Sequence, residues 1–313
     1  AGCDGLPNSG LEIDVCGVCG GDGTCLPENC TDDNESDFCQ DLSVLQILVD
    51  NSQGGENPPP SDMSPIELGD QSWVDGRLVG FCSSMYENEF LERLSPCYTD
   101  YELSGEIPSE IGNLINITYL DLSSNKLTGE IPIDINNLTE LLILDLSINQ
   151  FIGSIPSEIG NLINLEYLWL NRNHFTGSIP SEIGDLTNLE GLVLNENQFT
   201  GKIPFEIGNL TSLDRLNLSN NELTGDIPES ICNITNQYLV GWGWIGSLLT
   251  WSGEYTGEDY AYIYDNNLCP PYPSCIENYV GEQDYSSCEI VIYSSIDHLD
   301  VVSMDAGLIL QFA

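Results

Sequence analysis

LINLEYLWLNRNHFTGSIPSEIGD, residues 162–185, is one of five segments that recur through the middle of the chain at a strict 24-residue spacing. The other four begin at Leu114, Leu138, Leu186 and Leu210, with no gap between copies. All stay close to the pattern LxxLxxLxLxxNxLxGxIPxxIGN. A fixed period of about 20–50 residues is typical of stacked repeats, because one repeat cannot bury its own apolar face. The pattern therefore predicts a solenoid.

Each copy also predicts the local structure of one coil. Leu168 and Leu170 alternate with outward residues, which predicts a short strand with one buried face. Gly177 and the following Ile-Pro predict a sharp turn and a second extended segment, and the closing SEIG turn predicts a 3₁₀ helix. One asparagine per copy is expected to satisfy backbone groups at the bend between coils. These asparagines are Asn125, Asn149, Asn173, Asn197 and Asn221.

The half-repeat LSGEIPSEIGN at residues 103–113 precedes the five copies, and a degenerate copy follows them. The pattern resembles the plant-type leucine-rich repeats of receptor ectodomains and of extracellular enzyme-inhibitor proteins. The resemblance implies an α/β solenoid that is mostly β, a right-handed leucine-rich-repeat coil with a parallel sheet over residues 103–233. Both apolar ends of such a stack need caps, which we expect to be disulfide-bonded.

The charge of the chain is far from neutral. Its 313 residues include 50 Asp and Glu against six Lys and Arg, a formal net charge of -44. Such a surface repels nucleic acid, whose phosphates attract basic side chains. Two interpretations remain: a solvated surface suited to salty surroundings, or one whose self-repulsion is relieved by divalent cations. The longest apolar runs are too short to span a bilayer, so no membrane insertion is expected.

Cysteine and asparagine usage favours an oxidising, secretory environment. The even cysteine count fits full pairing. The cysteines are Cys3, Cys16, Cys19, Cys25, Cys30, Cys39, Cys82, Cys97, Cys232, Cys269, Cys275 and Cys288. The N-x-S/T candidates for glycosylation are Asn29, Asn34, Asn116, Asn137, Asn209, Asn217 and Asn233. The chain starts at Ala1 without an apolar signal region, as a processed protein would, so we expect a secreted, extracellular or cell-surface location.

Residues 1–39 are rich in Cys and poor in large apolar residues, so their order must come from disulfides or metal. The string IDVCGVCGGDGTC, residues 13–25, resembles the DxCGVCGGDG modules of secreted and bacterial surface proteins, which implies an extracellular module. Cys16-x-x-Cys19 in isolation fits zinc or redox chemistry. Without a second close CxxC or a nearby His, disulfides are favoured. Calcium is the one candidate cofactor, because three acids are spaced like oxygen ligands: Asp4, Asp14 and Asp22.

The segments flanking the repeats are assigned by composition. Residues 40–65 are predicted to be a linker, since NSQGGENPPPSDMSP at residues 51–65 is rich in Gly, Pro and Asn. Residues 66–102 should cap the first coil with a Cys82–Cys97 disulfide, and residues 234–290 should cap the last. Four cysteines at the second cap are expected to pair among themselves: Cys232, Cys269, Cys275 and Cys288. The aromatic cluster of this cap fits either a lid or a sugar-stacking platform.

Residues 291–313 form a tail with two interpretations. DVVSMDAGLILQF, residues 300–312, resembles the end of a dockerin calcium loop and its following helix, which implies calcium and cohesin binding. Ser294, Ile296 and His298 replace the acids and amides expected at the early ligand positions of that loop. Alternatively, EIVIYSS at residues 289–295 and the tail form strands that pair with a neighbouring chain.

Catalytic motifs are not recognisable in the chain. It has no Gly-rich phosphate loop, no GxSxG elbow and no metal-ligand spacing, and neither His174 nor His298 has a catalytic neighbourhood, so no enzyme is expected. The outward, concave face of the predicted sheet instead combines aromatic and polar groups that suit a protein or glycan partner. Its candidate ligand-binding residues are Tyr119, Asp121, Asp145, Tyr167, Trp169, Asn171 and Arg215.

Three hypotheses for function follow. The first is an extracellular, non-catalytic recognition or adhesion protein that binds protein or glycan through the solenoid. The second is a structural subunit that assembles head to tail into a filament, since the ends of a parallel sheet are templates for stacking. The third is an enzyme inhibitor.

Overall fold

The structure is a computed structural model that describes residues 37–84, 99–234, 263, 265–275, 283–284 and 288, and the backbone of 299–304 and 307–312. Several predictions lie outside these residues. They concern the Cys-rich segment 1–36 with its candidate calcium ligands, the sequons at Asn29 and Asn34, Cys97, and the aromatic segment 235–262.

A seven-stranded sheet runs through the described part of the repeats. It consists, in spatial order, of β1 (Asp70–Val74), β2 (Arg77–Cys82), β4 (Tyr119–Asp121), β6 (Ile143–Asp145), β7 (Tyr167–Trp169), β8 (Gly191–Val193) and β10 (Arg215–Asn217). From β4 onward the strands are parallel, and each residue pairs with the one 24 positions later, as Tyr119 does with Ile143. The expected parallel solenoid with one strand per repeat is confirmed.

A second parallel sheet, here called the flank sheet, follows the bend in each coil. Its strands are β3 (Ser104–Glu106), β5 (Lys126–Thr128), β9 (Thr200–Gly201), β11 (Glu222–Asp226) and β12 (Asn267–Cys269). The middle coils continue it through backbone bonds such as that from the Thr176 N–H to the Gly153 carbonyl, 2.6 Å. Gly153 and Gly177 have φ of 78° and 76°, a left-handed conformation that favours glycine. The glycine turn and second extended segment are therefore confirmed.

The buried asparagines form the expected ladder. Asn173 is 5% exposed, and its Oδ1 accepts from the Phe151 N–H at 3.0 Å. Its Nδ2 donates to the carbonyls of Leu146 and Leu170, at 2.9 and 3.1 Å. One side chain thus satisfies backbone groups of its own coil and of the preceding one, which explains why the residue recurs every 24 positions.

Apolar side chains of every coil meet in one continuous core. Phe151, Phe175 and Phe199 are fully buried and stack along it, with ring centroids 5.9 and 6.0 Å apart. Each described coil closes with a 3₁₀ helix that follows a proline, as at Ser157–Asn161 and Ser181–Asp185. The prediction of a 3₁₀ turn is therefore confirmed.

The first end of the stack differs from the linker that the sequence predicts. The predicted linker 40–65 begins inside a helix, α1 (Asp37–Asn51), rather than in a flexible segment. Phe38, Leu42, Leu45 and Leu48 recur at helical spacing and are buried in the shared core. Burial of such side chains stabilises by about 1.5–3 kcal/mol each, so this helix is part of the cap.

A buried ion pair attaches α1 to the sheet. The Arg77 Nε donates to Asp41 Oδ2 at 2.9 Å, and the Leu78 N–H donates to the same oxygen at 2.7 Å. Arg77 also lies 3.2 Å from a carboxylate oxygen of Asp37. Burial outweighs these partners and raises the pKa of Asp41 to about 6. Strands β1 and β2 pair as an antiparallel hairpin, and β2 then pairs with β4 in parallel, so this cap extends the main sheet.

Disulfides fasten the other end. Cys232 bonds to Cys275 and Cys269 bonds to Cys288, so the four cysteines of this region pair among themselves. The Asn266 side chain occupies the next place in the ladder, accepting from the Leu223 N–H at 3.0 Å. Cys39 and Cys82 are also disulfide-bonded, to partners outside the described residues.

The tail forms strands, whereas its resemblance to a dockerin predicts a calcium loop followed by a helix. Strand β13 (Leu299–Met304) pairs antiparallel with β14 (Gly307–Phe312), with Leu299 opposite Phe312. β-branched Val301 and Val302 favour extended backbone, and a glycine at position 307 weakens a helix. The predicted dockerin-like helix is therefore wrong. The pairing here joins two strands of the tail itself, and residues 289–295 lie outside the described part.

Candidate functional site

The main-sheet face comprises the outward residues of β4, β6, β7, β8 and β10 together with the outward residue that follows each strand. Regular pairing between the strands brings equivalent positions of successive coils into rows about 4.8 Å apart. The predicted ligand-binding residues all belong to this face. Burial divides them into two groups.

Asp121 and Asp145 belong to the buried group, with exposed fractions of 0% and 1%. Asp121 Oδ1 accepts from the Ser123 N–H at 2.8 Å, and Asp145 Oδ1 accepts from the Ser147 N–H at 2.9 Å. Each carboxylate folds back onto the backbone two residues on, a turn that Asp forms readily at the end of a strand. Both carboxylates therefore hold a backbone turn, and the expectation that they contact a ligand stays a prediction.

The two carboxyls also face each other across neighbouring strands, since Asp121 pairs with Asp145 in the sheet register. Burial raises the pKa of Asp121. Burial and the neighbouring charge of Asp121 raise the pKa of Asp145 well above its usual value. Burial, followed by the charge of Asp121, likewise raises the pKa of Tyr119, whose hydroxyl donates to the Asp121 carboxylate at 3.0 Å. These groups therefore favour protonation more than exposed ones do.

Trp169, on the same face, is also buried, with only 5% of its surface exposed. Its ring packs at a tilt of 56° against that of Tyr167, with centroids 5.7 Å apart. Gly191 on the next strand provides the space, because a Cβ there would lie 2.8 Å from Tyr167 Cδ1. Trp169 was predicted to contact ligand directly. It is buried and packs against Tyr167, so a direct ligand contact of Trp169 stays a prediction.

More of the face is accessible toward the last coils, although Tyr119 and Ile143 of the first coils are also half-buried. The half-buried residues toward the last coils are Tyr167, Asn171, Val193, Asn195, Arg215 and Asn217. The Tyr167 hydroxyl donates to the Glu190 carboxylate, which fixes the ring over Gly191. Burial lowers the pKa of Arg215, while the nearby charge of Asp214 opposes that shift. Apolar, aromatic, amide and cationic groups thus lie together on a rigid sheet.

The predicted glycosylation sequons differ in their exposure and contacts. Asn116, Asn137, Asn209 and Asn233 are exposed. Asn217 differs, since its Oδ1 accepts from both the N–H and the hydroxyl of Ser219, at 3.1 and 2.7 Å. Asn217 therefore occupies the same turn position as Asp121 and Asp145. The sequence does carry a signal for this role, because D-L-S or N-L-S recurs at one place in these copies.

Two other kinds of site are absent from the described residues. No group of three or more His, Cys, Asp or Glu side chains there is arranged to hold a metal ion. No helix in the described ranges combines the length and apolar character needed to cross a bilayer.

Comparisons with known proteins agree with this fold. Residues 94–236 match the family model described as a leucine-rich repeat region. No curated protein matches the chain. Among solved structures, similarity extends to the ectodomain of the plant membrane receptor kinase GASSHO1/SCHENGEN3 from Arabidopsis thaliana, solved with CASPARIAN STRIP INTEGRITY FACTOR 2. Identity is 33% and the TM-score 0.47, over 58% of this chain and 19% of that one.

Two further structures are similar. A plant ice-binding protein is 27% identical with a TM-score of 0.47, over 63% of this chain and 60% of that chain. A leucine-rich-repeat protein of Leptospira interrogans is 36% identical with a TM-score of 0.39, over 44% of this chain and 34% of that one. The chain thus spans less than two thirds of the length of each of these proteins. Together with the 24-residue coils, the family match shows that the chain contains a leucine-rich repeat region with the leucine-rich-repeat fold.

Proposed function

We propose that the protein is an extracellular, non-catalytic recognition protein that binds a protein or peptide ligand on the half of the main-sheet face toward the last coils. The observation that carries the proposal is the half-buried Tyr167, which Trp169 supports and Gly191 accommodates. Tyrosine and arginine are enriched among residues that dominate binding energy. Their positions on regular strands mean that little conformational freedom is lost on binding.

Charge favours a protein ligand with basic or neutral residues. Glu190 and Asp214 lie beside Tyr167 and Arg215, and the whole chain carries a net charge of -44. Disulfide bonds at the second cap fit an oxidising, extracellular compartment. The similar Arabidopsis thaliana ectodomain was solved in complex with CASPARIAN STRIP INTEGRITY FACTOR 2.

A peptide-display screen against the full chain tests this proposal. Selected peptides should lose at least about tenfold in affinity on a Tyr167→Ala variant, as expected when a central aromatic contact contributing about 1.4 kcal/mol or more is removed. Phe205→Ala is the matched control, because Phe205 is an aromatic residue 66% exposed in a 3₁₀ helix outside the main sheet. Equal losses in both variants, or selected peptides that bind both as well as the parent chain, would contradict the proposal.

Light scattering and negative-stain microscopy of the purified chain address the alternatives. A monomer is expected for a recognition protein. Filaments that grow with concentration would favour a structural subunit instead, and inhibition of a hydrolase in an enzyme panel would favour an inhibitor.

A further inference from the structure

The flank sheet presents a second outward face with an unusually regular composition. Three positions of each coil are outward there, and the middle one holds a β-branched residue in all five copies. These residues are Thr128, Ile152, Thr176, Thr200 and Thr224. Ile152, Thr176 and Thr200 are exposed, and Thr128 and Thr224 are half-buried. One methyl-bearing side chain, a threonine in four of the five, thus repeats at the strand spacing of about 4.8 Å.

The face is held rigidly. The N–H groups of Ile152, Thr176 and Thr200 donate to carbonyls of the preceding coil at 2.8, 2.6 and 2.7 Å. Beneath it lies the stack of Phe151, Phe175 and Phe199. β-branched side chains have few χ1 choices, so the side chains of the row have little conformational freedom. The Thr176 hydroxyl also donates to the Gly153 carbonyl at 3.2 Å, which further restricts that side chain.

Charge sets this face apart from the rest of the molecule. The outward residues of its three central coils are Gln150, Ile152, Ser154, His174, Thr176, Ser178, Gln198, Thr200 and Lys202. All are exposed, and none is acidic, in a chain with 50 Asp and Glu. Among the described residues, carboxylates on this face lie toward its two ends, at Glu106, Glu130, Glu222 and Asp226, and Lys126 is paired with Glu102 at 3.5 Å.

These features exclude several occupants of the face. Five coils and three rows span roughly 250 Å², whereas a stable dimer needs about 800 Å² from each partner. The central coils offer no outward Phe, Tyr or Trp ring on which a sugar could stack and no carboxylate to attract a basic peptide. A surface that carries no carboxylate in its central coils and repeats hydroxyl and methyl groups at one spacing fits a partner that is itself a lattice with a similar repeat.

We propose that the flank sheet is an ice-binding face and that the row of Thr128, Ile152, Thr176, Thr200 and Thr224 is its centre. The threonine hydroxyls hydrogen-bond to water of the lattice, and the methyl groups order the water between them. Because the row is fixed by the sheet, adsorption to an ice plane requires little reorganisation. This site is independent of the main-sheet face and of its peptide ligand.

Growth of single ice crystals in solutions of the full chain tests the proposal. The parent chain should give a gap between melting and freezing temperatures and should shape the crystals. Thr176→Lys should abolish both effects, since a long charged side chain in the central row prevents flat contact. Ser181→Lys is the control, because it adds the same charge at an exposed site in the 3₁₀ helix of the same repeat, and it should behave as the parent.

Circular dichroism and thermal melting of both variants would establish that they remain folded. The proposal is overturned if the parent chain neither shapes crystals nor lowers the freezing point at its highest soluble concentration. It is also overturned if Thr176→Lys retains full activity. A third result against it would be that Thr176→Lys, but not the parent or Ser181→Lys, fails to bind an insoluble neutral polysaccharide, while neither the parent nor Thr176→Lys affects ice growth.

Discussion

Replacing Asn173 with Ala should strongly lower the free energy of unfolding of the solenoid, although Asn173 is only one side chain at a bend between coils. The change leaves the buried Phe151 N–H without its acceptor at 3.0 Å. It also removes the donor to the carbonyls of Leu146 and Leu170, at 2.9 and 3.1 Å. A buried backbone group that loses its partner costs about 1–3 kcal/mol, so one donor and two weakened acceptors predict a loss of about 2–4 kcal/mol.

Urea unfolding followed by circular dichroism measures this loss. The neighbouring residue supplies the control, because His174 is exposed and its replacement by Ala should change the unfolding free energy by less than about 0.5 kcal/mol. An unchanged slope against urea in both variants would show that the same surface is exposed on unfolding. If Asn173→Ala were no more destabilising than His174→Ala, the ladder would not hold the coils together.

Three further predictions follow from the core, the buried acids and the sequons. Phe175→Ala should lower the unfolding free energy by about 3–5 kcal/mol, measured in the same urea assay, because Phe175 stacks on both neighbouring rings; a change below about 1 kcal/mol would contradict a packed stack. The pKa of Asp41 is raised from 3.8 to about 6, and those of Asp121 and Asp145 are also raised, so the native state binds protons that the unfolded state releases. The unfolding free energy should therefore increase as the pH falls from about 8 to about 5, in melts at constant ionic strength, and the opposite slope would refute this. Peptide mapping of protein from a secreting eukaryotic host should find less glycan on Asn217 than on the exposed sequons, since the Asn217 side chain is half-buried on the main sheet and turned toward Ser219; equal occupancy at all sequons would contradict this. The exposed sequons are Asn116, Asn137, Asn209 and Asn233.

The coils could be predicted because each repeat specifies its own structure. The period of two in the strand, the Gly-x-Ile-Pro turn and the ladder Asn are local signals, and the 24-residue period brings them into register. The first cap was harder to predict. Phe38, Leu42, Leu45 and Leu48 have helical spacing, yet the Gly- and Pro-rich residues that follow suggested a linker for the whole segment.

The site was predicted in part. Alternation placed Asp121, Asp145 and Trp169 on the outward side of their strands, which the sheet register supports. The alternation of apolar and outward residues along a strand does not predict whether an outward side chain bonds to its own backbone, as the two Asp residues do, or packs against a neighbouring ring, as Trp169 does. Those outcomes depend on Ser123, Ser147 and Gly191, whose roles emerge only in three dimensions.

The central claim is that successive repeats stack as parallel coils with a constant rise. Spin labels on noncanonical side chains introduced at exposed positions 126, 174 and 222 test it directly, because these positions are equivalent in the first, third and fifth copies. The stack predicts that the distance from 126 to 222 is about twice that from 126 to 174. At about 4.8 Å per coil, the distance from 126 to 222 should be about 19 Å. Distances that do not grow in proportion to the number of coils, or a 126 to 222 distance beyond about 30 Å, would contradict the solenoid.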